Sequence, residues 1–128
     1  MFIQQDLQTK TTQDLPLFIQ WMDFLKWLML TTEGFPKKVR FTLSDRMNVL
    51  ALNTIEDLVE ARYRSDKSQA LKRVNLSLEK LRVLFRICFE TQILSHDAYE
   101  HSVLTLNQMG KQLGGWMKQQ QQKSYENM

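Results

Sequence analysis

Leu71-Lys72-Arg73-Val74-Asn75-Leu76-Ser77-Leu78-Glu79-Lys80-Leu81-Arg82-Val83-Leu84-Phe85-Arg86-Ile87-Cys88 is the stretch whose reading decides the fold. Leu71, Val74, Leu78, Leu81, Phe85 and Cys88 recur every three or four residues, and no glycine or proline interrupts them. That period predicts a helix with one apolar face. Arg82 and Arg86 are four apart, so they share a second stripe with Lys72, Asn75 and Glu79. A core face beside a basic flank suits binding to an anion or a protein. Nothing in it suggests bond-making chemistry.

Three further segments of the same kind surround this one. Asp14 and Pro16 mark a helix start, with an acceptor near the cap and a proline in the first turn. This first helix runs to about Thr32 and stops near Gly34. Its apolar positions are too many for one packed face, and Phe18, Trp21, Phe24 and Trp27 are read as an oligomer interface. After the turn Phe35-Pro36-Lys37-Lys38, Val39, Leu43, Met47, Leu50, Thr54, Leu58 and Ala61 carry a second helix to Tyr63. Ser65-Asp66 caps the third helix, which extends to about Leu94. Ser95 and Asp97 then open a fourth. Its stripe passes through Tyr99, Leu106, Leu113 and Trp116. Residues 1–13 read as a loose arm, and residues 119–128 as a polar, fraying tail. Four long amphipathic segments on short links predict an all-α, antiparallel up-down four-helix bundle, with one domain spanning residues 1–128.

Composition narrows the function. The 128 residues carry a formal charge of +3, which by itself is a weak argument for nucleic-acid binding. The distribution says more: Ala61 to Glu90 holds eight cations against three acids. Arg82, Arg86, Lys72 and Arg73 are therefore candidate contacts to a partner or nucleic acid, together with Lys37 and Lys38 of the turn. The lone cysteine, Cys88, lies on an apolar stripe, which excludes an internal disulfide and suits a reducing cytosol. No basic-then-apolar leader opens the sequence. Leu15–Leu30 is too short for a membrane span, and Asp23 and Lys26 interrupt it. A cytoplasmic protein is expected.

No catalytic or metal site is expected. His96 and His101 are five apart, the wrong spacing for two ligands on one helix face. There is no cysteine cluster and no glycine-rich phosphate loop, and no cofactor is implied. Gly110 and Gly114 sit inside the fourth helix, where each glycine costs about 1 kcal/mol against alanine. Close helix packing beside Trp116 is the expected reason, with a weak, frayed end as the alternative.

Three patterns now fall in order: the turn Phe35-Pro36-Lys37-Lys38, the run Leu81-Arg82-x-x-x-Arg86, and Leu113-Gly114-Gly115-Trp116-Met117. In that order and spacing the chain resembles the accessory variability determinant (Avd) proteins of diversity-generating retroelements. The wider superfamily includes four-helix proteins encoded in rRNA intervening sequences. The resemblance covers roughly Trp21 to Lys118. It implies a four-helix protomer of a barrel-shaped homopentamer with no catalytic activity. It also implies binding to the retroelement's reverse transcriptase, and a part in mutagenic copying of template RNA into cDNA. Arg82 and Arg86 match the family's arginine pair, associated with the reverse transcriptase, and Lys37 and Lys38 match its basic turn. The family is highly basic, whereas acids in the second helix hold this chain to +3. The alternatives are an rRNA intervening-sequence type of protein and a structural helical oligomer that binds another protein.

Overall fold

A computed structural model describes residues 14–126. The loose arm expected over residues 1–13 lies outside the described residues. The chain forms a four-helix, all-α bundle: α1 (Asp14–Glu33), α2 (Asp45–Tyr63), α3 (Ser68–Glu90) and α4 (His96–Glu126). Short links turn the chain back at each end, so consecutive helices are neighbours and α4 closes the bundle against α1.

Each link is built from its own residues. After α1, the Gly34 and Phe35 N–H groups bond back to the Thr31 and Thr32 carbonyls, and the Phe35 ring folds under the helix end. Pro36 then starts a 3₁₀ turn, Lys37–Val39, and a π turn, Arg40–Ser44, before regular α2 begins. The Asn48 amide ties this entry to α1, donating to Thr32 Oγ1 at 2.9 Å and to the Ser44 carbonyl at 2.8 Å. At the end of α2 the Lys67 ammonium donates to the Ala61, Arg62 and Arg64 carbonyls. A cation thus sits where the helix dipole is negative.

The third helix is shorter than expected. It ends at Glu90 because Gln92 takes a left-handed φ of 64°. The Ile93 N–H then reaches the Cys88 carbonyl at 2.8 Å and the Gln92 N–H reaches that of Phe89 at 3.0 Å. This is a Schellman closure made without glycine. Ser95 Oγ accepts from the Ala98 N–H at 3.2 Å and starts α4 as expected. The tail expected to fray over 119–128 is corrected through residue 126: α4 continues as helix to Glu126.

The core follows the stripes. Leu71, Val74, Leu78, Leu81, Phe85 and Cys88 of α3 are all buried, as are Leu106, Met109, Leu113 and Trp116 of α4. Each large apolar side chain buried in this way contributes about 1.5–3 kcal/mol. Phe18, Trp21 and Phe24 are buried within the same bundle, and this removes them as surface for a second subunit. The wide stripe of α1 is covered from three directions. Trp21 Nε1 donates to the Ala51 carbonyl of α2 at 2.9 Å. Phe24 meets Phe85 of α3 edge-on at 6.0 Å. Gln112 of α4 donates to Gln20 at 2.6 Å. Trp27 is half-buried and packs on His101 at 4.6 Å. Among the described residues of α1, the large apolar side chains left exposed are Ile19, Met29 and Leu30.

Candidate functional site

The arginine pair of α3 divides into two different groups. The Arg82 side chain is 31% exposed and crosses to α4. Its Nη1 donates to Asn107 Oδ1, and its Nη2 to the Leu106 carbonyl at 3.2 Å. Its Nε lies 3.3 Å from Glu79 Oε1, close enough for charge pairing without hydrogen-bond alignment. Arg82 is therefore a strut between helices, with both terminal nitrogens engaged by α4. Arg86, one turn on, is 70% exposed. It pairs with Glu90 at 3.1 Å, and the Glu90 hydrogen bond and charge hold the guanidinium pKa above its ordinary value. Between the two arginines α3 and α4 enclose a shallow cleft of about 290 Å³, lined also by Val83, Tyr99 and Val103. The Tyr99 ring stacks flat on Phe89 at 4.5 Å, which fixes one wall.

The other basic candidates scatter. Arg73 reaches across to α2, where it pairs with Asp57 at 3.1 Å and with Glu60, so those acids spend its charge inside the molecule. Lys72 is exposed near the start of α3, ten residues before Arg82. At 1.5 Å per residue that is about 15 Å along the helix. Lys37 and Lys38 are exposed on the 3₁₀ turn, with Arg40 beside them. Because α1 ends and α2 begins where α3 ends, this turn lies at the same end of the bundle as Arg86. Lys72 lies toward the opposite end. The proposed basic flank is thus two separated groups, with Arg73 and Arg82 tied up between them.

The helix-packing reading of the glycines also changes. A Cβ on Gly110 would stand 3.1 Å from Arg82 Nη2, so this glycine makes room for a guanidinium and not for a helix backbone. A Cβ on Gly114 would meet nothing within 4 Å. Trp116, by contrast, is buried in the core.

His96 lies 3.8 Å from Asp97 and 3.9 Å from Glu100, an exposed cluster in the first turn of α4. Among the described residues no group of three His, Cys, Asp or Glu side chains is placed to hold a metal ion. Cys88 is buried, and desolvation pushes its thiol pKa up, away from nucleophilic character. No described helix is long and apolar enough to cross a membrane.

Sequence reasoning missed several residues. Lys118 and Lys123 of α4 line a groove with Lys72 at the end away from Arg86. They lay in and beside the presumed tail, and only continuation of the helix brings them to α3. Arg62 is buried, with its guanidinium 5.5 Å from the centre of the Phe18 ring. A count of charges cannot separate such a residue from a solvated one. The outer faces of α2 and α3 also carry exposed apolar groups, among them Val49, Leu52, Leu76 and Val83.

No curated protein matches the chain. A family model described as bAvd-like matches residues 17–120, from the first core residues of α1 to beyond Trp116 of α4. That span holds α2 and α3 whole, most of α1 and α4, and the buried core, and the chain belongs to the bAvd-like family.

Proposed function

We propose that this chain is a non-catalytic accessory protein of a diversity-generating retroelement, which binds its reverse transcriptase and template RNA and supports mutagenic cDNA synthesis. Family membership over residues 17–120 is the observation that carries the reading. The working form is a homo-oligomeric ring, a homopentamer in keeping with the resemblance to Avd proteins. Ile19, Met29 and Leu30 of α1, with Val49 and Leu52 of α2 and Leu76 of α3, offer surface for subunit contact.

The end bearing Arg86, Lys37 and Lys38 is the surface for the reverse transcriptase. Arg86 is exposed and keeps a planar fork suited to carboxylates. Val83 is exposed one turn below, and Phe41 stands 80% exposed beyond the lysine turn. Charge around exposed apolar groups is the usual make-up of a protein-recognition patch. Repetition around a ring would multiply weak individual contacts.

The test is capture of the reverse transcriptase encoded beside this gene. Wild type should retain it, and Arg86→Glu with Lys37→Glu and Lys38→Glu should lose it while staying folded and oligomeric. Failure of the wild type to capture the enzyme, with and without template RNA, would end this reading. Arg82 is left intact, because its loss would disturb the bundle itself.

A further inference from the structure

At the end of the bundle away from Arg86, the first turns of α3 and the overhanging end of α4 enclose an open groove of about 670 Å³. Lys72 lines one wall, and Lys118 and Lys123 line the other. Asp66 is the acid among the lining residues, and its carboxylate is already engaged: Oδ1 accepts from the Ser68 N–H at 3.1 Å and from the Ser68 hydroxyl at 2.8 Å. Three ammoniums therefore share the groove with one carboxylate, whose charge interacts with Lys72 and leaves Lys118 and Lys123 as the excess. Gly114 also lines the groove, and a Cβ there would meet nothing. A glycine inside a helix costs about 1 kcal/mol against alanine. No neighbour among the described residues explains that cost, but close approach of a second molecule to bare backbone would.

From this geometry we infer that the groove holds the phosphodiester backbone of single-stranded RNA, with Lys72, Lys118 and Lys123 on its phosphates and Gly114 as the floor. The inference rests on the accessory reading above and adds a division of labour, with protein at the Arg86 end and RNA at this one. A groove of this volume, within the range of about 300–1,000 Å³ for ligand sites, takes a short stretch of chain and not a lone ion. Lysines are flexible point charges, which can follow a row of phosphates. None of the described lining residues is aromatic, so bases have no stacking platform. Binding here should depend on salt and be indifferent to base sequence.

The experiment is fluorescence anisotropy with oligo-U and oligo-A 12-mers across a potassium chloride series. Lys118→Glu/Lys123→Glu should weaken binding roughly tenfold and flatten the log–log salt slope by about 1.4, or 0.7 for each lost phosphate contact. Gly114→Leu should weaken binding while helicity by circular dichroism holds or rises. Lys26→Glu/Lys80→Glu makes the same change in net charge on exposed positions outside the groove, and should do far less. Groove variants that only match this control would overturn the assignment, while capture of the reverse transcriptase would still stand. An acidic peptide of equal charge that displaces the RNA one for one would overturn the choice of nucleic acid. Absence of any binding by wild type would overturn this site and the RNA half of the proposed function together.

Discussion

The middle of α3 and the turn before its last carry the same side chain on the same stripe. α4 lies close beside the first. There Arg82 finds the Leu106 carbonyl and Asn107, and Gly110 clears the space for it. Around Arg86 the guanidinium stays in solvent with Glu90. A spacing of four residues guarantees a shared face on one helix. It does not guarantee a shared environment, because the neighbouring helix decides which cation becomes structure and which stays available.

The comparison can be broken first at Arg82. Arg82→Ala leaves the Leu106 carbonyl and the Asn107 side chain without this donor, and should cost about 2 kcal/mol in urea unfolding. Arg82→Lys should recover little, since one ammonium cannot span both acceptors. A loss no larger than that at Arg86 would abolish the distinction. The glycines sharpen it. Gly114→Ala should raise stability by about 1 kcal/mol, since its methyl meets nothing. Gly110→Ala should gain less in wild type, where the methyl presses on Arg82, and the full amount in an Arg82→Ala background; thermal melts of the four proteins test this coupling. Arg86→Ala should then move stability by no more than about 0.5 kcal/mol, as exposed ion pairs do, while weakening capture of the reverse transcriptase.

The smallest effect lies at the other end of α3. The hydrogen bonds from Ser68 lower the Asp66 pKa below its ordinary 3.8, so the charged form favours the folded chain. That stabilisation is complete above the unfolded value and fades as pH falls through the folded one. Asp66→Asn should therefore be less stable than wild type at pH 7, and the difference should shrink in unfolding curves taken below pH 4.

The fold was legible because it rests on periodicity. Leu71 to Cys88 marks a buried stripe whatever surrounds it, and Ser95 marks a helix start through its own hydroxyl. The site was less legible because it depends on what lies across the gap. Trp21 and Phe24 looked too apolar for one core, yet α1 is covered by three helices of its own bundle. Arg73 looked available until α2 placed Asp57 and Glu60 opposite it. Gln92 gave no sign of ending a helix, since it lacks the usual glycine. Lys118 and Lys123 became candidates only once α4 proved longer than the core it covers.

Cys88, sealed against Met47 with its sulfur 3.8 Å from Sδ, has a practical consequence. It is the sole thiol in the chain, and its side chain is fully covered. Alkylation must wait for the bundle to open, so the modification rate in native buffer is a clock for that opening. Any cysteine introduced on the surface would react long before it. One thiol reagent can then mark a chosen exposed site first and report the lifetime of the closed bundle afterwards.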